Sequence, residues 1–348
     1  MPTVGYGIIG PGAIAAVHAE SIGVVMNAEL RAVADVSKAR AKKFADEYGA
    51  DAYGDYREMI QRDDIQAVSI CTPSGLRAEI IEDCTKAGKN ILSEKPLEVT
   101  TKRVDKIIRA CDQAGVLLAC IFQSRFSVDA QHIRKALDQG RFGKLVMGDA
   151  YIKWFRSQEY YDSGQWRGTW KLDGGGALMN QGIHQIDLLQ WFMGPIKKLR
   201  ADMALVNHTG IEVEDLAVAM LDFENGAKGV IEGSTAIYGG HPARVEVHGT
   251  DGSAILEDGK LVHWDFAKRK AVDKKIEESL AGESVFGTGA GDPMAGMKIE
   301  GHRRQIDDFT KAIIKGRSPL IDGREGRKPV HLIESIYKAA RAGKTITF

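Results

Sequence analysis

The chain has 348 residues, 44% hydrophobic and 27% charged, with 47 Lys and Arg balancing 47 Asp and Glu. That balance removes the electrostatic case for coating nucleic acid or an anionic membrane, and the apolar content argues against a disordered chain. At this length a single core stops growing, so two domains are expected.

Four cysteines (Cys71, Cys84, Cys111 and Cys120) stand 13, 27 and 9 residues apart, with no Cys-x-x-Cys pair. They read as reduced thiols rather than a disulfide frame or zinc site, and no metal is expected. Val4-Gly5-Tyr6-Gly7-Ile8-Ile9 begins with no basic region before it, so no signal peptide is expected. The longest apolar stretch, near 116–122, is far short of a membrane span. The expectation is a soluble, cytoplasmic protein with no nucleic-acid and no membrane partner.

In chain order, apolar runs at 4–9, 29–34, 66–71, 90–93 and 116–122 alternate with helical patterns at 13–25, 38–48, 56–61, 77–87 and 101–114. Such alternation predicts a parallel sheet with helices on both faces. After 122 the pattern changes. A helix at 130–139 leads to a long strand at 145–155, polar and aromatic loop residues, and a helix over 176–192. From 198 to 266 the pattern is strands with Asn225-Gly226, Asp251-Gly252 and Asp258-Gly259 as hairpin signals, which predicts mostly antiparallel sheet. Residues 273–293 read as a polar, glycine-rich, flexible loop. Helices at 299–315 and 328–342 close the chain. Residues 1–122 carry 15 basic and 17 acidic side chains and the rest 32 and 30, so neither half is a basic module.

The first turn, Gly10-Pro11-Gly12-Ala13-Ile14-Ala15, has the form Gly-x-Gly-x-x-Ala between a strand and a helix. Gly10 suits the tight turn, Gly12 lets a pyrophosphate approach the backbone, and Ala15 allows close packing. The helix N-terminus attracts the anion. Asp35, 23 residues after Gly12, ends the second strand where an acid accepts from an adenosine ribose hydroxyl and repels a 2′-phosphate. The cofactor reading is NAD; Lys38 and Arg40 close by leave NADP open.

Two further motifs bear chemistry. Ser93-Glu94-Lys95-Pro96 follows a parallel strand, and ligands bind such sheets at the carboxyl ends of their strands. Gly174-Gly175-Gly176 precedes Asn180, His184 and Asp187, which fall at i, i+4 and i+7 of a helix and so share a face. No second His or Cys lies at ligand spacing, so metal is a poor reading.

With these pieces in this order the chain resembles the glucose-fructose oxidoreductase, inositol 2-dehydrogenase and rhizopine-catabolism family. The resemblance runs through the glycine turn, Cys71-Thr72-Pro73-Ser74, Glu94-Lys95-Pro96, residues 174–187 and Gly316-Arg317-Ser318-Pro319-Leu320-Ile321-Asp322-Gly323. It implies an N-terminal α/β Rossmann domain over 1–122. A C-terminal α+β domain over 123–348 carries an open-faced, mostly antiparallel sheet for substrate binding and oligomerisation. The closing helices are allowed to pack back on the first domain, and the active site is expected between the two. It also implies homodimers or homotetramers built through the sheet.

By resemblance Lys95 and His184 are the catalytic pair. Cofactor contacts are expected at Gly10, Gly12, Ala13, Ile14, Asp35, Ser37, Cys71, Thr72, Pro73, Glu94 (toward the nicotinamide ribose), Lys95 and Gln123. Substrate contacts are expected at Asn180, Asp187, Arg167 and Trp166, with Asp187 alternatively orienting the helix or His184. Tyr160, Tyr161, Trp166 and Trp170 suit either a sugar platform or an interface patch. Two positions depart from the pattern: Asn180 stands where many members have Asp, and Arg77 where relatives often have His.

The implied activity is NAD(P)-dependent hydride transfer at a carbinol carbon of a sugar, sugar derivative or cyclitol. His184 is the proton acceptor and Lys95 the polarising partner, an assignment that can be exchanged. The runner-up enzyme is an NADPH-dependent reductase of a keto-sugar or dicarbonyl. A different class is a non-catalytic nucleotide-binding sensor, against which the presence of both Lys95 and His184 argues.

Overall fold

The computed structural model describes residues 2–280 and 299–348. The chain forms two compact units, Met1–Gln123 with Ile299–Val330, and Ser124–Lys298 with His331–Phe348.

The first unit alternates β1 (Val4–Ile9), α1 (Ala13–Val24), β2 (Ala28–Ala34), α2 (Lys38–Tyr48), β3 (Asp51–Tyr53), α3 (Tyr56–Met59), β4 (Ala67–Ile70), α4 (Arg77–Lys86), β5 (Asn90–Ser93), α5 (Thr101–Ala114) and β6 (Leu118–Cys120). The strands form one parallel sheet in the order β3-β2-β1-β4-β5-β6. All six residues of β1 are buried, as a strand covered on both faces requires. Ser37, Asp55 and Thr100 each accept a backbone N–H at a helix start. Gly49 and Gly115 stop α2 and α5 in the left-handed conformation. β3, only three residues long, escaped the periodicity argument, and the apolar stretch 116–122 supplies only three strand residues.

In the second unit α6 (Val128–Asp138) leads to β7 (Leu145–Lys153), α7 (Gln158–Asp162), a π-helical turn (Ala177–Gly182) and α8 (Ile183–Met193). Then come β8 (Ile196–Ala204), β9 (Leu216–Phe223), β10 (Lys228–Ser234), β11 (Arg244–Gly249), β12 (Gly252–Glu257), β13 (Lys260–Phe266) and α9 (Ala271–Ser279). After the undescribed residues follow α10 (Glu300–Lys315), α11 (Gly323–Ala342) and β14 (Ile346–Thr347). The second sheet has the order β13-β12-β11-β7-β10-β9-β8-β14 and is antiparallel except between β7 and β10. The Asn-Gly and Asp-Gly turns fall where expected, with Asp258 and Gly259 both at positive φ. Ala217, Ala219, Leu221 and Phe223 of β9 point inward, and α8 packs on β7 and β11. Val218 and Met220 point outward, 40% and 66% exposed.

One element corrects the sequence reading. Residues 273–279, expected in a loop, belong to α9; the rest of that segment from 281 lies outside the described residues. The helix is held by partners remote in sequence. Asp273 accepts from Arg141 (2.9 and 2.8 Å), Trp264 Nε1 (2.9 Å) and the Lys270 N–H (2.6 Å). Burial opposes ionisation of Asp273, yet these donors hold its pKa down at about 2.

α10 belongs to the first unit. Ile306 and Phe309 join Tyr6, Ile8, Ala19 and Ile22 in one core, and Tyr6 Oη lies 2.7 Å from Thr310 Oγ1. α11 gives its first residues, through Val330, to the first unit and the remainder to the second.

Candidate active site

The glycine turn leaves the start of α1 open. Gly12 at the N-cap brings no side chain, and the first turn holds no acid. Gly12 and Ala13 are exposed and Ile14 half-buried, so the helix presents amide N–H groups and its positive dipole end to an incoming anion. A Cβ at Gly12 would meet nothing within 4 Å, whereas one at Gly10 (φ 85°) would press on Thr72 Cγ2 at 2.9 Å. Gly10 is thus required by the turn and Gly12 borders free space. Thr72 Oγ1, across from this turn, is buried without a hydrogen-bond partner, as is Gln123 Oε1. The donor set and the open cradle fit a dinucleotide pyrophosphate.

Asp35 stands at the end of β2 with its Oδ1 held by the Ser37 N–H (2.7 Å) and Arg40 Nη2 (2.9 Å). Oδ2 is left for a ribose hydroxyl. Ser37 both fixes Asp35 and caps α2. Cys71 closes β4 with its N–H on Ile9 O (2.9 Å), placing Cys71, Thr72 and Pro73 beside the turn. All four cysteines are free thiols.

Lys95 follows β5, half-buried, before a cis bond to Pro96. Its backbone is held on both sides. The Lys95 N–H donates to Glu94 Oε2 (3.0 Å). Arg77 Nη1 donates to Glu94 O (2.6 Å) and to Pro96 O, while its Nε and Nη2 fork onto Thr72 O (3.0 and 2.8 Å). Arg77 is buried and ties the Thr72 loop to the Lys95 loop. Burial lowers its pKa and Glu94 nearby works against that, but a guanidinium stays charged either way.

Glu94 is 4% exposed, and Oε1 lies 3.0 Å from His18 Nε2 and 3.5 Å from His302 Nε2. Burial alone would raise the Glu94 pKa, but hydrogen bonds from the two imidazoles outweigh it and hold the carboxyl well below its usual range. His18 Nδ1 meets Ser69 Oγ at 2.6 Å.

In the second unit the glycine run feeds the π-helical turn that carries Asn180. This turn runs straight into α8, which carries His184 and Asp187. Asn180 Nδ2 donates to Asp173 Oδ1, and His184 sits half-buried in the first turn of α8. Asp187 is fully buried, with its two oxygens on Arg125 Nε (2.8 Å) and Nη2 (2.6 Å). This pair fits the alternative reading of Asp187, in which it orients the helix.

The aromatic loop divides. Tyr161 is core: its hydroxyl lies 2.9 Å from Thr235 Oγ1 and its ring 4.6 Å from His208. Arg167 stacks on Tyr160 (4.2 Å) and Trp166 (4.6 Å), and its Nη1 donates to Tyr160 Oη (2.6 Å). Trp166 and Arg167 stay half-buried. Trp170 packs on Tyr337 and under Arg341.

A buried ion pair that loses one partner strands the other charge, which costs about 3–5 kcal/mol. Asp187→Ala is therefore expected to lower the unfolding free energy by about that much in urea titration. A fully stable variant with only a raised KM would restore Asp187 to the substrate.

Residues 4–122 match the model of an oxidoreductase family with an NAD-binding Rossmann fold, and residues 130–255 match the GFO/IDH/MocA C-terminal domain. The myo-inositol 2-dehydrogenase of Thermotoga maritima is 30% identical over 261 residues, covering 72% of this chain and 75% of that protein. An uncharacterized oxidoreductase of Bacillus subtilis, YrbE, is 30% identical over 267 residues, covering 73% and 74%. Among solved structures, the WlbA dehydrogenase of Bordetella pertussis, in complex with NADH and UDP-GlcNAcA, is 30% identical. It matches with a TM-score of 0.87 over 99% of both chains. The chain belongs to the GFO/IDH/MocA oxidoreductases and carries their NAD-binding Rossmann domain.

Proposed function

We propose that this enzyme is a dehydrogenase of a sugar, sugar derivative or cyclitol, with Lys95 and His184 acting on one substrate hydroxyl. The observation that carries the reading is the held Lys95 backbone, pinned by Arg77 and Glu94 beside an open dinucleotide cradle. The names of relatives at 30% identity, an inositol dehydrogenase and a dehydrogenase bound to UDP-GlcNAcA, support the substrate class.

Bound NAD supplies the hydride acceptor. His184 takes the hydroxyl proton as the carbon–hydrogen bond breaks, a task suited to an imidazole. Protonated Lys95 donates a hydrogen bond to the same oxygen and favours the developing negative charge, while the proton leaves from His184 to solvent. Asn180 can donate and accept but cannot exchange a proton at neutral pH, so it positions a neighbouring hydroxyl. Trp166 and Arg167 offer a stacked face to a ring. A second reading narrows the substrate to a nucleotide-linked amino-sugar acid. Its support is the full-length similarity to the UDP-GlcNAcA-bound WlbA dehydrogenase.

Turnover is read at the reduced-nicotinamide absorbance band with inositols, aldoses, anhydrosugars, glycosides and UDP-sugar acids. Lys95→Ala and His184→Ala are each expected to lower kcat about 10²–10⁴-fold while cofactor binding persists. Activity surviving both substitutions would sink the assignment, and cofactor binding with no turnover on any substrate would favour the sensor.

The acid at Asp35 favours NAD over NADP by repelling a 2′-phosphate. Asp35→Ser is expected to raise NADP use relative to NAD, measured as the ratio of kcat/KM values. An unchanged ratio removes Asp35 from cofactor choice.

Four free thiols, three of them buried, support a cytoplasmic setting. Self-association through the second sheet completes the reading, as a homodimer or homotetramer. Val218 and Met220 stand exposed on its outward face, with Val230 opposite Met220 on the neighbouring strand. Met220→Asp should lower the mass measured by light scattering after gel filtration. An unchanged mass above that of the monomer places the interface elsewhere.

A further inference from the structure

The glycine run that leads to Asn180 and His184 lies directly on Glu214, in the connection before β9. The Gly176 N–H donates to Glu214 Oε2 (2.9 Å) and the Leu178 N–H to Oε1 (2.9 Å). Between them, the Ala177 N–H donates to the carbonyl of the same residue (3.1 Å). The first N–H groups of a helix have no partner inside it. Here three in succession are taken by one residue more than 30 positions away. Tyr337 of α11 braces the carboxylate, its hydroxyl donating to Oε1 at 2.8 Å.

The glycines make this approach possible. A Cβ on Gly176 would overlap the Glu214 carbonyl oxygen, and one on Gly175 would overlap the Tyr337 hydroxyl. The run thus answers to Glu214 and Tyr337 rather than to a ligand. Glu214 is 3% exposed, and among the described residues no cation pairs with it. A group so enclosed holds the backbone at one position with little slack.

We propose that Glu214, braced by Tyr337, is a positioning residue that fixes the start of the helix carrying Asn180 and His184. This rests on the dehydrogenase reading for its effect on rate, but not for its effect on the helix. Burial pushes the Glu214 carboxyl up to about 7, against the pull of its N–H donors and Tyr337. Around it stand Tyr337 and, farther out, Arg341 on α11, Tyr161 on α7 and Asp173 on the preceding loop. A carboxyl whose folded pKa is raised stabilises the fold below its unfolded value. That contribution is lost as pH rises through about 7. At pH 8 the ionised Glu214 is therefore held at some expense of stability.

Glu214→Gln tests this at pH 8. It keeps the volume and one acceptor but cannot serve two amides and a hydroxyl as an anion does. The expected result is an unchanged or raised Tm together with a kcat at least about tenfold lower and a KM moved less than about threefold. The acid limb of log kcat should also lose one unit of slope, the share that ionisation of Glu214 near pH 7 contributes in the wild type. Tyr337→Phe should lower kcat in the same direction. A purely structural residue would instead lose Tm and leave kcat and the slope alone, and that outcome overturns the proposal. Hydrogen exchange of the amides over 176–184 gives a readout that needs no substrate. Exchange about tenfold faster in Glu214→Gln is expected, and unchanged protection overturns the proposal. A wild type with no turnover but the expected exchange difference would count against the dehydrogenase reading alone.

Discussion

The first unit is organised around one buried anion. Glu94 joins three elements far apart in sequence: His18 comes from α1, the Lys95 N–H from the end of β5, and His302 from α10. A buried carboxylate is tolerable only if its lone pairs are taken, so each of these elements must be present and in register. The same anion lies beside buried Arg77, whose fork reaches the Thr72 and Glu94 carbonyls. The dinucleotide cradle and the Lys95 loop are thus held by a buried charged layer.

Glu214 shows the other way to keep a carboxylate inside a protein. Glu94 has imidazole partners able to share its charge, and its pKa falls well below the usual range. Glu214 has amides and a hydroxyl, and desolvation prevails. One group is a permanent anion that locks a framework; the other sits near its transition at neutral pH. The two candidate catalytic side chains therefore rest on supports of different electrostatic character.

The sequence made the frame legible wherever local chemistry decides it. Alternation of apolar runs marked the parallel sheet, Asn225-Gly226 and Asp258-Gly259 marked hairpins, and Gly10 and Gly12 marked the cradle. Position-specific motifs pointed to Lys95 and His184 as the candidate catalytic pair. What escaped depends on contacts distant in sequence. α9 lies in a stretch with loop composition and is secured by Arg141 and Trp264. Asp187 and Glu94 were read as ligand contacts by resemblance, and their buried partners Arg125, His18 and His302, remote in sequence, had no local signal. Arg77 was visible as a departure from its relatives, without its purpose. Glu214 gave no signal, since an acid ahead of a strand ordinarily reads as surface.

Because α10 supplies Ile306, Phe309 and His302, the first unit is discontinuous along the gene. The 175 residues from 124 to 298 are translated between its early and late portions, taking on the order of 9–35 s on the ribosome. Throughout that interval β1 and α1 have emerged while the helix that packs on them has not, and Glu94 lacks its second imidazole. The nascent chain must carry an unfinished apolar face and an undersupplied charge while the second unit is made. A chaperone requirement would then fall on the early part of the chain, although it is the first to leave the ribosome, and a gene cut after residue 123 would encode a sheet without its closing helix.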